Sequence, residues 1–220
     1  YSIAICNGTA ALEVAIKSLD LPEGSEIIVP ARSFFASASC VINTGYTPVF
    51  VDVDLKTQNI SPIDIEKKIT KKTKAIICVH LAGLPCDIYA IKKIAMKNKI
   101  KIIEDCSQAH GASINNKQVG SFGDIGTWSF CNDKIVSTLG EGGMISTNNK
   151  KTYEFCKRYI NHGSIFKVKK NSDKFIYNKD YFGTNLRITE IQSIAGLEQL
   201  KYLKNIQIIR DKMAKDYFDL

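Results

Sequence analysis

Two stretches of this 220-residue chain carry most of the information about its fold and chemistry. Residues 102–111 read IIEDCSQAHG, and residues 129–134 read SFCNDK, followed at 139–143 by LGEGG. In the first stretch an apolar run ends in the acid Asp105. In the second, an apolar segment ends near the hydroxyl of Ser129, and Lys134 follows just before a glycine turn.

These groups are the ones that a pyridoxal phosphate (PLP) enzyme needs. A lysine amine forms a Schiff base with the aldehyde of the cofactor, and an acid pairs with the pyridinium nitrogen so that the ring can withdraw electrons from the substrate. Lys134 and Asp105 are therefore the candidate catalytic residues.

Around these stretches, apolar segments of strand length alternate with segments of helical spacing. The predicted strands lie at 27–29, 49–51, 75–79, 100–103, 127–130 and 144–146. The predicted helices lie at 10–19, 34–43, 61–69, 87–97, 150–161 and 188–217. This alternation indicates an α/β fold, a three-layer α/β/α domain with a mostly parallel sheet covered on both faces. Residues 161–185 lack clear periodicity, which predicts a mobile loop.

The composition is that of a soluble globular protein, and it excludes several classes. No apolar run approaches the roughly 18–20 residues of a membrane span. The net charge of +8 comes from lysine clusters at 67–74 and 92–101, which we interpret as solvated surface rather than as a site for an anionic partner. No aromatic residues interleave with these lysines, so nucleic acid binding is not expected.

The cysteines indicate a reducing compartment. The chain has seven, an odd number, and none forms a C-x-x-C pair. We interpret them as reduced, mostly buried thiols of a cytoplasmic protein, with neither a disulfide framework nor a zinc or other metal site.

Each candidate site residue has an ordinary explanation when it is taken alone. The turn at Gly8 and Thr9 precedes a helix, and it could bind phosphate or merely cap that helix. Asp105 could cap the segment that follows it, Phe34 could pack in the core, and Lys134 could be a surface lysine. Their joint order along the chain favours the chemical interpretation.

Further motifs follow along nearly the whole chain, and their order and spacing match those of a known family. They read CNGTAAL at 6–12, VPARSFFASA at 29–38, GYTPVFVDVD at 45–54, VHLAG at 79–83, VGSFGD at 119–124, NHG at 161–163 and GTNLR at 183–187. In these motifs the chain resembles the DegT/DnrJ/EryC1/StrS family of PLP-dependent sugar aminotransferases, of the aspartate aminotransferase fold type I. The family pattern differs at Cys131-Asn132-Asp133, which could alter the choice of substrate.

The resemblance implies a phosphate site that two subunits share. Gly8 and Thr9 would bind the cofactor phosphate through backbone N–H groups and a hydroxyl, and Ser129 would add a second hydroxyl. Asn185 would reach the phosphate of the other subunit's cofactor, which implies a homodimer with composite active sites.

The resemblance also implies roles around the cofactor ring. Phe34 would stack on the ring, Asp105 would keep the ring nitrogen protonated, and Gln108 would reach the ring hydroxyl. Lys134 would hold the cofactor and carry the proton. For His110 we favour a structural role behind the site.

The function implied by the resemblance is transfer of an amino group, with glutamate as the expected donor, to a nucleotide-linked keto sugar. Two alternatives stay open: a PLP-dependent nucleotide-sugar dehydratase, in which His replaces the lysine, and a non-catalytic regulatory protein of the same fold. We expect residues 1–185 to form the PLP-binding large domain, truncated at its N-terminus. Residues 186–220 would form a long helix that leads towards a small domain largely absent from this chain.

Overall fold

A computed structural model describes residues 1–168, 175–179 and 181–219 of the chain. Its main sheet has seven strands in the order β1-β9-β8-β5-β4-β2-β3. The strands of this sheet are β1 (Ser2–Ile5), β2 (Glu26–Pro30), β3 (Thr47–Val51), β4 (Thr73–Val79), β5 (Lys101–Asp105), β8 (Ile125–Ser129) and β9 (Gly143–Ser146). Only β9 runs antiparallel to its neighbours, so the expected mostly parallel sheet is confirmed.

Helices cover both faces of this sheet. They are α1 (Gly8–Lys17), α2 (Ala36–Asn43), α3 (Pro62–Lys68), α4 (Ile88–Asn98), α5 (Lys150–Tyr159) and α6 (Glu190–Phe218). Two large apolar clusters form most of the core, one under α1, α2 and α5 and the other under α3 and α4. The three-layer α/β/α architecture predicted from the sequence is therefore confirmed.

The central strands show why the chain folds in this way. Along β4, Ile77 and Val79 point into the first cluster, whereas Ile76 and Cys78 point into the second. Successive side chains of a strand point to opposite faces, so a continuous apolar run is buried on both sides. Such strands need helices on each face.

Local signals set several helix boundaries where the sequence placed them. Ser61 caps α3, its hydroxyl accepting a hydrogen bond from the Asp64 amide at 3.3 Å, and Pro62 occupies the first helical position. The helix predicted from Phe34 begins instead at Ala36, because Phe35 is the N-terminal flanking residue of α2 and makes no side-chain cap.

The prediction of an irregular loop at 161–185 is wrong for two segments of it. β10 (Ser164–Val168) and β11 (Phe175–Lys179) pair antiparallel as a separate two-stranded sheet. β11 contains Phe, Ile and Tyr, which favour strands. The polar residues around them made this preference hard to recognise in the sequence. Residues 169–174 and 180 of the predicted loop lie outside the described residues. A second small hairpin, β6 (Ser113–Ile114) with β7 (Lys117–Gln118), was not predicted.

The long helix α6 was predicted correctly, and it runs across the loop that carries Lys134. The side-chain amide of Gln192 donates to the Glu141 carbonyl at 2.8 Å, and that of Gln207 donates to the His110 carbonyl at 3.2 Å. Gly196 is the buried residue of this 29-residue helix, and it packs against Thr138. In the part of the chain that the structure describes, no helix has the length and apolar character of a membrane span.

Candidate active site

Seven of the eight predicted site residues line one cavity of about 470 Å³. They are Gly8, Thr9, Phe34, Asp105, Gln108, Ser129 and Lys134. They come from segments far apart in sequence, and they meet because β1, β2, β5 and β8 are parallel and end at the same edge of the sheet. The eighth residue, Asn185, is exposed and is not among the residues lining this cavity.

The first turn of α1 presents backbone donors to the cavity. The side chain of Asn7 accepts a hydrogen bond from the Ala10 amide at 2.8 Å, and its carbonyl accepts one from Ala11 at 3.1 Å. The amides of Gly8 and Thr9 are left without a partner inside the helix. Together with the positive end of the helix dipole, they suit an anion such as a phosphate.

Close packing between α1 and β8 explains why glycine occupies position 8. A Cβ atom there would lie 2.7 Å from the Cβ of Ser129, closer than side-chain atoms approach. The Ser129 hydroxyl, at the end of β8, accepts a weak hydrogen bond from the Cys131 amide at 3.4 Å. Its own proton stays available for a ligand, so the serine can serve the same anion as the helix.

Asp105 ends β5 and is 5% exposed. One carboxylate oxygen accepts from the Ser37 hydroxyl at 3.2 Å, and the other accepts from the Ser107 amide at 3.1 Å. Two bonds from different elements fix the carboxylate at the cavity wall. Burial raises the pKa of the nearby Cys40 thiol to about 12, with Asp105 adding to the shift, so Cys40 stays neutral there.

Gln108 is anchored by only one end of its side chain. Its carbonyl oxygen accepts from the Ala82 amide at 2.7 Å, within a 3₁₀ turn over Leu81–Gly83 in which Ala82 has a positive φ of 52°. This bond orients the side chain in the cavity and leaves the two N–H donors of the amide for other partners. Its predicted contact with a cofactor hydroxyl stays a prediction.

Lys134 lies in a loop that closes on itself. The Phe130 amide donates to the Gly142 carbonyl at 2.8 Å, and the Thr138 amide donates to the Phe130 carbonyl at 3.1 Å. The Lys134 side chain is 19% exposed, and its ammonium contacts Asp133 at 2.9 Å. The lysine is thus directed into the cavity by a braced loop rather than spread on the surface.

Phe34 is the exposed part of the cavity lining. Its side chain is 72% exposed at the mouth of the cavity. Phe35 is 78% exposed and is absent from the lining. Of the two neighbours, Phe34 is therefore the one placed to cover a ring bound in this cavity.

His110 lies behind the lysine loop, between the rings of Trp128 and Phe130 at centroid distances of 5.7 and 5.6 Å. Burial lowers the pKa of His110 to about 4; the Ser129 backbone opposes this shift and the charge of Lys134 adds to it. Among the described residues neither ring nitrogen has a partner in hydrogen-bond geometry, so Ser129 approaches the ring without bonding to it.

A buried polar network next to Asp105 was missed from the sequence. His80 donates from Nε2 to Glu104 at 3.1 Å while its Nδ1 accepts from the Cys86 amide at 3.0 Å. The remaining positions on Glu104 accept the amides of Gly120, Phe122 and Gly123 at 2.6–2.8 Å.

This network is structural rather than a metal centre. His80, Glu104 and Cys106 lie close enough to hold an ion, but both His80 nitrogens and the Glu104 carboxylate are already hydrogen-bonded. Burial alone would raise the pKa of the Glu104 carboxyl. The hydrogen bonds from His80 and the loop amides outweigh burial, so this pKa lies below its usual value. The network thereby fixes β5 just before Asp105.

A second cavity of about 730 Å³ adjoins the first. The two share Ser107, Gln108, Asp133 and Lys134, and the far wall of the second belongs to α6. We centre the site on the smaller cavity because it contains Asp105 and the N-terminus of α1.

Comparison with known proteins identifies the family. The model of the DegT/DnrJ/EryC1/StrS aminotransferase family matches residues 1–220. The chain belongs to this family. It is 44% identical over 201 residues to a GDP-perosamine synthase of Escherichia coli O157:H7, an alignment that covers 91% of this chain and 53% of that protein.

Two further similarities agree with this assignment. A dTDP-3-amino-3,6-dideoxy-alpha-D-galactopyranose transaminase of Aneurinibacillus thermoaerophilus is 40% identical, over 100% of this chain and 58% of its own length. The crystal structure of an aminotransferase from Psychrobacter cryohalolentis superposes with a TM-score of 0.90 at 47% identity, covering 93% of this chain and 53% of that one. The chain spans about half the length of the relatives it matches, and its fold is that of these aminotransferases.

Proposed function

We propose that this chain belongs to a PLP-dependent aminotransferase that transfers an amino group, with glutamate as the donor, to a nucleotide-linked keto sugar. The observation that carries the proposal is the meeting of Lys134, Asp105 and the first turn of α1 in one cavity. The names of the relatives, a GDP-perosamine synthase and a dTDP-sugar transaminase, support a nucleotide-linked sugar as the substrate class.

The residues present fit the cofactor. The close approach of Gly8 and Ser129 leaves a cradle of two free amides and a hydroxyl for the phosphate. Asp105 offers a fixed carboxylate to a protonated ring nitrogen. Lys134, which lines the same cavity, would supply the amine for the aldehyde. When bound, PLP supplies the electron sink that makes the α-proton of an amino acid acidic.

The chain's own residues then have distinct tasks. Lys134 would hold the cofactor and carry the proton, Asp105 would keep the ring nitrogen protonated, and Gln108 would orient the ring. Phe34, at the cavity mouth, would cover the ring. Asn185 would complete the phosphate site of a partner subunit.

The first test is covalent mapping. Borohydride reduction of the full-length protein loaded with PLP, followed by peptide mass mapping, is expected to place the pyridoxyl group on Lys134. The Lys134→Ala variant should take up no such label and lose transamination, while its melting temperature stays close to that of the wild type because the lysine lies in a loop. A label on another lysine of the wild type contradicts the assignment.

The remaining alternatives are separated by two further readouts. A dehydratase of the expected kind has His in place of the lysine, and Lys134 therefore favours the aminotransferase. A non-catalytic protein would keep its absorbance when glutamate is added, whereas an aminotransferase would lose the band of the bound aldehyde form. Mass analysis of products from a panel of nucleotide keto sugars would then identify the acceptor.

A further inference from the structure

The residue directly before the reactive lysine makes an unusual ion pair. Asp133 Oδ2 lies 2.9 Å from Lys134 Nζ. The carboxylate side chain is 71% exposed, whereas the lysine side chain is 19% exposed. Both residues line the site cavity and the adjoining one. Most of the Lys134 side chain is therefore buried, while the carboxylate that it contacts is exposed to solvent.

Other charged groups surround the lysine at greater distance. Asp105 and Glu141 line the same cavity, and the adjoining cavity adds Lys204, Arg210 and Asp211 from α6. The buried ring of His110 faces the lysine but carries no charge near neutral pH. Among the described residues, Asp133 is the carboxylate within ion-pair distance of Lys134.

The pair has a chemical consequence for the lysine. An amine adds to an aldehyde carbon only as the neutral form: the ammonium first gives a proton to water, the nitrogen then bonds to the carbon, and one water leaves as the imine forms. The Lys134 ammonium beside Asp133 holds the pKa of that carboxyl below its usual value. The same contact, at 2.9 Å, occupies the ammonium of Lys134, so this nitrogen can attack an aldehyde only after the contact breaks.

We propose that Asp133 is a positioning residue of the site, which holds Lys134 as an ammonium against the cavity wall whenever the lysine is not bonded to a carbonyl compound. The inference rests on the proposed function, because it assigns the reactive amine to Lys134. Asp133 thus limits the reactivity of the Lys134 amine, because attack on an aldehyde requires this ion pair to open.

The test measures the reactivity of one amine without relying on turnover. Full-length protein freed of cofactor is treated with formaldehyde and cyanoborohydride between pH 7 and 11, and methylation of each lysine is followed by peptide mass analysis. At pH 8, Lys134 should be methylated about two- to fivefold faster in Asp133→Asn than in the wild type, because the ion pair that occupies the ammonium is lost. The ratio of the two rates should narrow as the pH rises towards 11, because a neutral amine forms no ion pair with a carboxylate.

Matched controls separate charge from access. Asp133→Glu keeps the charge and should react slowly at pH 8, like the wild type. Asp211→Asn removes a carboxylate of the adjoining cavity that makes no ion pair with Lys134, and it should leave the rate unchanged. Lys67, which pairs with Asp64 at 2.9 Å elsewhere, is the internal reference in every map.

The outcomes distinguish this inference from the proposed function. Equal rates at pH 8 in Asp133→Asn and the wild type overturn the role of Asp133. So does a ratio of rates that stays constant between pH 7 and 11, since that result shows easier access rather than a change in charge. If borohydride mapping with PLP labels a different lysine, the proposed function fails whatever the methylation rates show.

Discussion

At the scale of single residues, Asp105 carries the sharpest prediction for catalysis. Asp105→Asn keeps the size of the side chain but removes the charge that would keep the ring nitrogen of PLP protonated. We expect kcat to fall by several orders of magnitude, on the order of 10² to 10⁴, as when transition-state charge stabilisation is removed elsewhere. The melting temperature should change little, because an amide can still bond to Ser37 and Ser107.

Ser37→Ala is the matched control for this prediction. It removes the hydroxyl that donates to Asp105 at 3.2 Å and leaves the carboxylate charge in place. Its effect on kcat should be much smaller than that of Asp105→Asn. Near-normal turnover in Asp105→Asn would falsify the pyridinium role.

His110 carries a prediction for stability against pH. The folded protein keeps this ring neutral down to about pH 4, whereas the ring in the unfolded chain takes up a proton near pH 6.5. In that window the unfolded state binds more protons, so stability rises as pH increases from about 4 to 6.5. His110→Phe should remove this slope, whose full size is on the order of 3 kcal/mol.

Urea unfolding at pH 4.5, 5.5 and 7.5 measures the effect of His110→Phe. The exposed His162, which has a positive φ of 59° that suits asparagine, provides the control His162→Asn. This control should keep the slope of the wild type. If His110→Phe shows the same pH dependence as the wild type, the ring is not held neutral by burial.

The order of residues along the chain and the family resemblance predicted which groups line the candidate cavity, but not what holds them. The acid and the glycine turn directly follow apolar segments, and the lysine follows such a segment after a few residues. The contact of Ser37 with Asp105 joins residues 68 positions apart, and that of Ala82 with Gln108 joins residues 26 apart. Such partners depend on how helices and strands pack, which spacing along the chain does not encode.

At the scale of elements, the junction of α1 and β8 should be intolerant of a single methyl group. Helix propensity favours Ala over Gly by up to about 1 kcal/mol, so Gly8→Ala would stabilise an isolated helix. Here the added Cβ would lie 2.7 Å from Ser129 Cβ, and overpacking of this kind costs roughly 1–3 kcal/mol. We expect a lower melting temperature and, by absorbance titration, PLP binding weakened by about tenfold or more.

The partner of the clash supplies the controls for Gly8→Ala. Ser129→Ala keeps the room for Gly8 and should affect PLP binding only through the lost hydroxyl. Adding Ser129→Gly to Gly8→Ala reopens space and should recover part of the melting temperature. A Gly8→Ala protein that is more stable than the wild type and binds PLP normally contradicts the close approach.

Strands whose two faces are both buried could be predicted from the sequence, and strands outside the main sheet were harder to predict. The run Ala75–Val79 is apolar at every position because both faces of β4 are covered, and its strand was predicted within β4. The hairpin of β10 and β11 lies outside the main sheet, and its strands carry polar residues among the apolar ones. These two strands pair with each other, and a single sequence shows such pairing only weakly.

At the scale of the whole molecule, the position of Asn185 raises the question of a second subunit. Seven predicted site residues meet in one cavity, while Asn185 is exposed beside a bridge to Asn161. Nearby, Phe182 is 99% exposed, and Phe34 at the cavity mouth is 72% exposed. Exposed aromatic side chains of this kind are enriched in protein interfaces. We therefore predict a homodimer in which each subunit completes its partner's site.

Subunit complementation tests this homodimer. In an isologous dimer, the hybrid of Lys134→Ala with Asn185→Ala has one site with both native residues and one site with neither. Co-expression should restore activity up to about a quarter of the wild type, since about half of randomly formed dimers are hybrids with one native site in two. The test needs Asn185→Ala to be severely impaired by itself. Co-expression of Lys134→Ala with Asp105→Asn is the control and should restore none, because both residues belong to the same subunit's half of the site. A fully active monomer in sedimentation at assay concentration rules out shared sites.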